Sequence, residues 1–197
     1  VVPAVAYAIM AFTQPGDEIL IQEPVYYPFR KTIESLGRTT VVNPLRLENG
    51  RYGMDLADLE KKAARPKMKM LILCSPHNPV GRVWTPEELT RLGDICVAHD
   101  LLVLADEIHN DLIMPGFTHT VFASLKPEFA RRSITCTAPS KTFNLAGLQT
   151  ANIIVPNEAL RERLQALPFG AVEIDRKRIS ARDGTVKYLF ALEDGNL

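Results

Sequence analysis

Apolar residues along the chain switch repeatedly between helical and extended spacing. Near the start, Val5, Ile9 and Phe12 lie on one helical face, and a Pro-Gly-Asp turn at 15–17 separates them from an extended stretch at 18–22. The same plan returns with a helical stripe over 26–36 and a β-branched stretch at 39–42. The pattern therefore predicts helices and strands in succession.

Helix starts can be recognised further along the chain. Asp55, Thr85 and Asn157 are suited to cap three helices, and Thr85 is followed by Pro86 and Glu88, the order typical of a capping box. A further helix is expected at 121–130 and an irregular stretch at 138–147. Two further strands are expected at 134–137 and 151–155.

The runs at 70–74 and 101–105 are apolar without alternation, which indicates strands buried on both faces. Strands that alternate with helices predict an α/β fold, a three-layer α/β/α domain with a mostly parallel sheet. Ligands of such sheets bind beyond the carboxyl ends of the strands. The candidate site therefore comprises the polar or turn-forming segments that follow strands: 23–27, 75–81, 106–109 and 139–144.

Composition narrows the class of protein. The 197 residues are 46% hydrophobic, enough for one sizeable core, and 23 Lys and Arg balance 23 Asp and Glu, which gives no electrostatic reason to expect nucleic acid or an anionic membrane as a partner. No apolar run approaches the roughly 20 residues of a membrane helix, and residues 1–8 lack the basic start of a secretory signal. We expect a soluble cytoplasmic protein with three reduced cysteines. Because Val1 is not an initiator Met, we also expect a mature product or a piece of a longer chain.

Two polar residues follow buried strands. Two prolines and a glycine in 75–81 fix a rigid turn, which either orients the Asn78 amide toward a ligand or lets Asn78 cap its own backbone. Asp106 ends an apolar strand, where a carboxylate is costly unless it is paired. A metal site with His109 and a simple cap of a helical turn are the alternatives for Asp106.

Lys141 follows a strand within a loop of apolar and hydroxyl residues. The simple interpretation is a solvated lysine. In a partly dry pocket, however, its pKa would fall, and the amine would become a nucleophile able to form a Schiff base. The hydroxyls of Ser140 and Thr142 are suited to donate hydrogen bonds to phosphate.

Asn78, Asp106 and Lys141, in this order, resemble the motifs of fold-type I pyridoxal-phosphate enzymes, the aspartate aminotransferase superfamily. Within it, SPHNPVGRVW at 75–84, ADEIH at 105–109 and APSKTFNLAGL at 138–148 are similar to the MalY/PatB cystathionine β-lyase group. His77 and His109 stand where general aminotransferases tend to carry Asn and Tyr. The resemblance extends from Val1 to about Leu167.

The resemblance implies a role for each matching residue. Lys141 would hold the cofactor covalently and remove the substrate Cα proton, and Asp106 would pair with the pyridinium nitrogen. Asn78 and His109 would reach the O3′ oxygen. Tyr26 would stack on the pyridine ring, with Tyr27 as the alternative if Tyr26 belongs to the apolar face of its helix.

The phosphate contacts are implied in the same way. Val1 and Val2 match the start of a helix whose N–H groups hold the anion, and Ser140 would add its hydroxyl. Gln149 stands where aminotransferases have a phosphate-binding arginine, a departure that is typical of the β-lyase group.

The implied activity is a carbon–sulfur β-lyase that converts L-cysteine conjugates such as cystathionine to thiol, pyruvate and ammonia. The alternatives are a class I/II aminotransferase and a cofactor-binding or regulatory module with little turnover, because family members are about twice as long. By resemblance, 1–167 is the large cofactor-binding domain in part, 168–197 is a diverged tail, and the protein is a homodimer. The tail arginines Arg176, Arg178 and Arg182 do not match the family arginine that binds the substrate carboxylate.

Overall fold

The computed structural model of the chain describes residues 1–148, 150–167, 177–180 and 186–191. In this part of the chain, helices α1 to α7 span Val2–Phe12, Pro28–Ser35, Leu56–Ala63, Pro86–Ala98, Pro127–Arg131, Pro139–Thr142 and Glu158–Gln165. Strands β1 to β10 span Glu18–Ile21, Thr39–Val42, Arg46–Glu48, Arg51–Gly53, Met68–Cys74, Leu102–Asp106, Ser133–Thr137, Thr150–Ile154, Lys177–Ser180 and Val186–Ala191. None of the described helices has the length and apolarity that crossing a bilayer requires.

The described strands form one large sheet in the order β2-β1-β5-β6-β7-β8-β10-β9 and a separate β3-β4 hairpin. The first five strands of the large sheet are mutually parallel, and β8 is antiparallel to β7. Cys74 of β5 pairs with Asp106 of β6, which in turn pairs with Cys136 of β7. Because these strands are parallel and in register, their carboxyl ends lie at one edge of the sheet.

Helices cover both faces of the sheet, as the sequence predicts. Neighbouring residues of a strand point to opposite faces. Accordingly, Ile72 packs in the cluster that contains α1, α2 and α7, while Leu71 packs in the cluster that contains α3, α4 and α5. The three-layer α/β/α arrangement is confirmed.

Three helix starts carry the predicted caps. Thr85 Oγ1 accepts from the Glu88 N–H at 3.2 Å, and the Thr85 N–H donates to Glu88 Oε2 at 2.8 Å, which completes the capping box. Asp55 and Asn157 accept from the third residue beyond them, at 3.1 and 3.3 Å.

Three local predictions are wrong. The helix expected over 121–130 is divided into a 3-10 turn, Phe122–Ser124, and the short α5, because Pro127 has no N–H to continue a helix and starts a new one instead. The stretch 138–147, expected to be irregular, contains α6. Tyr26 precedes α2, which begins at Pro28, so Tyr26 is not part of a helical face.

Gly93 of α4 lies against the ring of Phe129, and an added Cβ there would come within 2.5 Å of its Cζ atom. Phe129 is fully buried and stacks on Phe122 at 5.0 Å, so the ring has little room to move. We expect Gly93→Ala to lower the free energy of unfolding by about 1–3 kcal/mol, although alanine is the better helix former. Urea unfolding measures the change. Arg91→Ala, on the exposed side of the same helix, should stay within about 0.5 kcal/mol of the parent.

Candidate active site

A cavity of about 150 Å³ opens at the carboxyl edge of the sheet. It is lined by Val1, Val2, Tyr26, Cys74, Asn78, Asp106, Ile108, His109 and Lys141. The structure thus brings together seven of the eight site residues predicted from the sequence. The eighth, Ser140, precedes Lys141 in α6 but is not part of the lining.

Strand register explains this convergence. Cys74 and Asp106 are paired terminal residues of β5 and β6, so the turns that follow them carry Asn78 and His109 to the same place. Lys141 arrives from α6, directly after β7. Sequence reasoning missed Cys74 and Ile108 as lining residues, although the position of Cys74 at the end of a buried strand was the available signal.

Asp106 is a buried carboxylate, 4% exposed, with a single hydrogen bond, from the Ile108 N–H to Oδ1 at 3.2 Å. Burial is the main cause that raises its pKa to about 6. The Ile108 N–H and the positive charge of the amino group at Val1 lower the pKa, and the Glu107 carboxylate raises it slightly. No Lys, Arg or His side chain in the described residues forms an ion pair with it. Within the described residues, Asp106 therefore has no side-chain ion pair to stabilise its ionised form.

We expect the Asp106 carboxyl to make stability depend on pH. The folded chain keeps this proton up to about pH 6, whereas the unfolded chain releases it near 3.8, so the folded state binds more protons in this interval and stability falls as pH rises through it. The loss is about 3 kcal/mol over the whole interval. Asp106→Asn should remove this decline, as measured by urea unfolding at pH 4, 5, 6 and 7.

The free energy of unfolding of the parent minus that of Asp106→Asn isolates the effect of Asp106. His77 changes stability with pH in the opposite direction, but it does so equally in both chains. Burial lowers the pKa of His77 to about 4, so its contribution is present above the unfolded pKa near 6.5 and is lost as pH falls toward 4. A difference that stays constant with pH would contradict the raised pKa of Asp106.

The turn that carries Asn78 is fixed from two sides. Its backbone N–H donates to Cys74 Sγ at 3.4 Å, and the neighbouring His77 places Nε2 2.9 Å from the Pro24 carbonyl oxygen. Because a carbonyl only accepts, His77 Nε2 must donate. The Asn78 side-chain amide makes no hydrogen bond with the described residues, so it does not cap its own backbone and stays available to a ligand.

Lys141 lines the cavity but is exposed, and the residues after it, 143–148, are exposed as well. Of the two alternatives for this amine, the described part of the chain shows the solvent-exposed lysine, because none of its residues buries α6. The Thr142 hydroxyl, a predicted phosphate donor, instead donates to Asp111 Oδ2 at 2.8 Å. Burial, together with the charge of Lys141, lowers the pKa of His109.

Tyr26, and not Tyr27, lines the cavity. Its ring meets Phe29 edge-on at 5.7 Å, while Tyr27 is 77% exposed. Burial raises the pKa of Tyr26, with smaller contributions from Tyr27 and Asp106. The face of the Tyr26 ring is thus held at the cavity by packing and not by helical periodicity.

The remaining candidate chemistry can be placed as well. Within the described residues, no three His, Cys, Asp or Glu side chains converge as metal ligands. Cys74, Cys96 and Cys136 are buried free thiols. The predictions for Gln149 and for the tail arginines fall on residues whose side chains lie outside the described part of the chain.

Comparison with known proteins gives a consistent result. The model of the family "Aminotransferase class I and II" matches residues 2–168. The chain is 49% identical over 166 residues to cystathionine β-lyase PatB of Bacillus subtilis, and this match covers 84% of the chain and 43% of PatB. It is 32% identical over 163 residues to MalY of Escherichia coli, and this match covers 82% of the chain and 41% of MalY.

The crystal structure of cystalysin from Treponema denticola, which contains a pyridoxal 5′-phosphate cofactor, superposes with a TM-score of 0.82 at 49% identity. The match covers 83% of this chain and 41% of cystalysin. The chain thus spans about two fifths of the length of the relatives it matches.

Proposed function

The chain belongs to the class I and II aminotransferase family, and from this we propose that it binds pyridoxal phosphate in the cavity at the carboxyl edge of the sheet and serves carbon–sulfur β-elimination of L-cysteine conjugates such as cystathionine. The observation that carries the proposal is that one cavity is lined both by Lys141 and by Asp106, a buried carboxylate that forms no ion pair with a described side chain.

The residues present fit this cofactor. A protonated pyridine nitrogen would give Asp106 an ion-pair partner. The Asn78 amide and the His109 ring, whose pKa burial lowers, can hydrogen-bond a phenolic oxygen. Tyr26 offers an aromatic face to a flat ring. In the first turn of α1, the N–H groups of Val2 and Ala4 have no helical acceptor, which suits a phosphate, whereas Pro3 has no N–H. Ser140 would add a hydroxyl from the adjacent α6.

When bound, pyridoxal phosphate supplies an aldehyde for covalent attachment and an electron sink for a substrate carbanion. Asp106 would keep the ring nitrogen protonated. Lys141 Nζ would provide the covalent link and, once displaced by substrate, take the proton from the substrate Cα. Tyr26 and Asn78 would orient the ring, which fixes the direction in which that proton leaves.

The β-lyase activity is favoured over transamination by the similarity to PatB and by His77 and His109 in the positions where general aminotransferases tend to carry Asn and Tyr. Incubation with cystathionine should release pyruvate. A parallel assay with a 2-oxoacid acceptor measures amino-group transfer, the alternative that the family match supports. Transfer without pyruvate would replace the lyase assignment by the aminotransferase one.

We further propose that 1–167 is the large cofactor-binding domain and 168–197 a tail toward a second domain, that the protein is a cytoplasmic homodimer, and that turnover by this chain is low. We expect low turnover because no arginine lines the cavity in the described residues. The substrate carboxylate would then have no ion pair to hold the substrate in position. Sedimentation measures the dimer. A turnover number within tenfold of full-length relatives would contradict the last point.

A further inference from the structure

A second cavity, of about 320 Å³, adjoins the first one. Asn78 and His109 line both cavities, so the two spaces meet at these side chains. The rigid turn after β5 forms one wall of the second cavity, and the loop after β6 forms the other.

The walls of the second cavity are mostly apolar. The apolar side chains are Pro76, Pro79, Val83, Leu112, Met114 and Phe117. No Lys, Arg, Asp or Glu lines it within the described residues. Its two imidazoles favour the neutral form, because burial lowers the pKa of both His77 and His109. A charged group that entered this space would lose hydration without gaining a counter-ion.

The first cavity has less than half the volume of the second, about 150 against 320 Å³, so the adjoining space offers the larger room for a substrate side chain. Leu112, Met114 and Phe117 are each more than half exposed, and an apolar group placed between them and the turn would remove that surface from water. Met114 adapts to irregular shapes, and Phe117 can contact an aromatic ring.

The loop wall is held in place from behind. Glu107 Oε2 accepts from His119 Nε2 at 2.9 Å, and Glu107 Oε1 accepts from the Phe122 N–H at 3.0 Å. Glu107 is 1% exposed, so this attachment is buried. The segment between Glu107 and His119, which carries the apolar side chains, is therefore anchored at both ends.

We propose that the second cavity binds the sulfur substituent of the substrate and selects uncharged, apolar substituents of about the size of a benzyl group over the charged amino-acid substituent of cystathionine. This inference rests on the proposed β-lyase function for the orientation of the substrate. The cysteine part would remain at Lys141, while the group on sulfur would pass Asn78 and His109 into the apolar space.

Binding can be measured without turnover, because the chain has one tryptophan. Trp84 is 1% exposed and its ring contacts that of His77 at 5.4 Å, next to the second cavity. With the cofactor-loaded chain, titration of S-benzyl-L-cysteine, S-methyl-L-cysteine and L-cystathionine is followed by Trp84 fluorescence, at a temperature low enough to suppress elimination. We expect S-benzyl-L-cysteine to bind at least about tenfold more tightly than each of the other two.

The matched variants are Leu112→Asp, in the cavity wall, and Leu47→Asp, at a similarly exposed position on β3 that does not line the cavity. Leu112→Asp should abolish the preference for the benzyl ligand, and Leu47→Asp should keep it. Equal binding of the three ligands, a preference for cystathionine, or an undiminished preference in Leu112→Asp would overturn the proposal. Cofactor loading is measured separately by visible absorbance: loading without benzyl preference refutes the cavity assignment alone, whereas absence of loading refutes the proposed function.

Discussion

Lys141→Ala is expected to abolish covalent attachment of pyridoxal phosphate and to lower any elimination activity by at least about 10²–10⁴-fold, because one amine serves as both the attachment point and the base. The chain is incubated with the cofactor, reduced with borohydride and weighed by mass spectrometry. The parent should gain the mass of one cofactor less one oxygen atom, because condensation releases water and reduction adds two hydrogens. The variant should gain none. The visible absorbance of the loaded parent should be lost as well.

Lys67→Ala is the matched control for this experiment. Lys67 is exposed and precedes β5 at the opposite edge of the sheet, so its removal should leave the mass gain unchanged. Circular dichroism establishes that both variants fold. Stoichiometric attachment in Lys141→Ala, or its loss in Lys67→Ala, would place the reactive amine elsewhere.

Glu107→Ala is expected to lower the free energy of unfolding by about 3–5 kcal/mol, a large share of the roughly 5–15 kcal/mol of a typical domain. The substitution removes a buried acceptor and leaves both the His119 ring and the Phe122 N–H without a partner. Urea denaturation followed by circular dichroism measures the loss.

Glu107→Gln gives a graded comparison, because its amide oxygen can still accept from the Phe122 N–H. We expect a smaller loss of about 1–2 kcal/mol. Glu60→Ala, on the exposed face of α3, should change stability by no more than about 0.5 kcal/mol. If Glu107→Ala were as mild as Glu60→Ala, the buried pair would not hold the loop.

Much of the fold could be predicted because strand and helix periods are local. The continuous apolar run of β5 and the capping box at Thr85 determine their elements within a few residues, and parallel strands bring their carboxyl ends together. The sequence therefore predicts that Asn78, Asp106 and Lys141 lie close together, while their individual roles are implied by the family resemblance.

The wrong predictions concern residues whose conformation or burial depends on contacts with residues far away in the sequence. Tyr26 fits the spacing of a helical face, but Pro28 starts the helix after it, and the ring turns toward the cavity instead. The exposure of Lys141 depends on what covers α6, which no local pattern records. The burial of Glu107 with His119 depends on a contact across a loop, and so does the second cavity that this loop walls.

The hydrogen bond from Thr142 to Asp111 joins α6 to the loop after β6. Helix α6 has only four residues and cannot hold its own direction through internal hydrogen bonds, so this side-chain contact helps to orient the helix that carries Lys141. Asp111 belongs to the same loop as Leu112, which lines the neighbouring apolar space. The backbone position of Lys141 therefore depends in part on the same anchored loop that lines the apolar space, so a substitution that released the loop would also remove a support of α6.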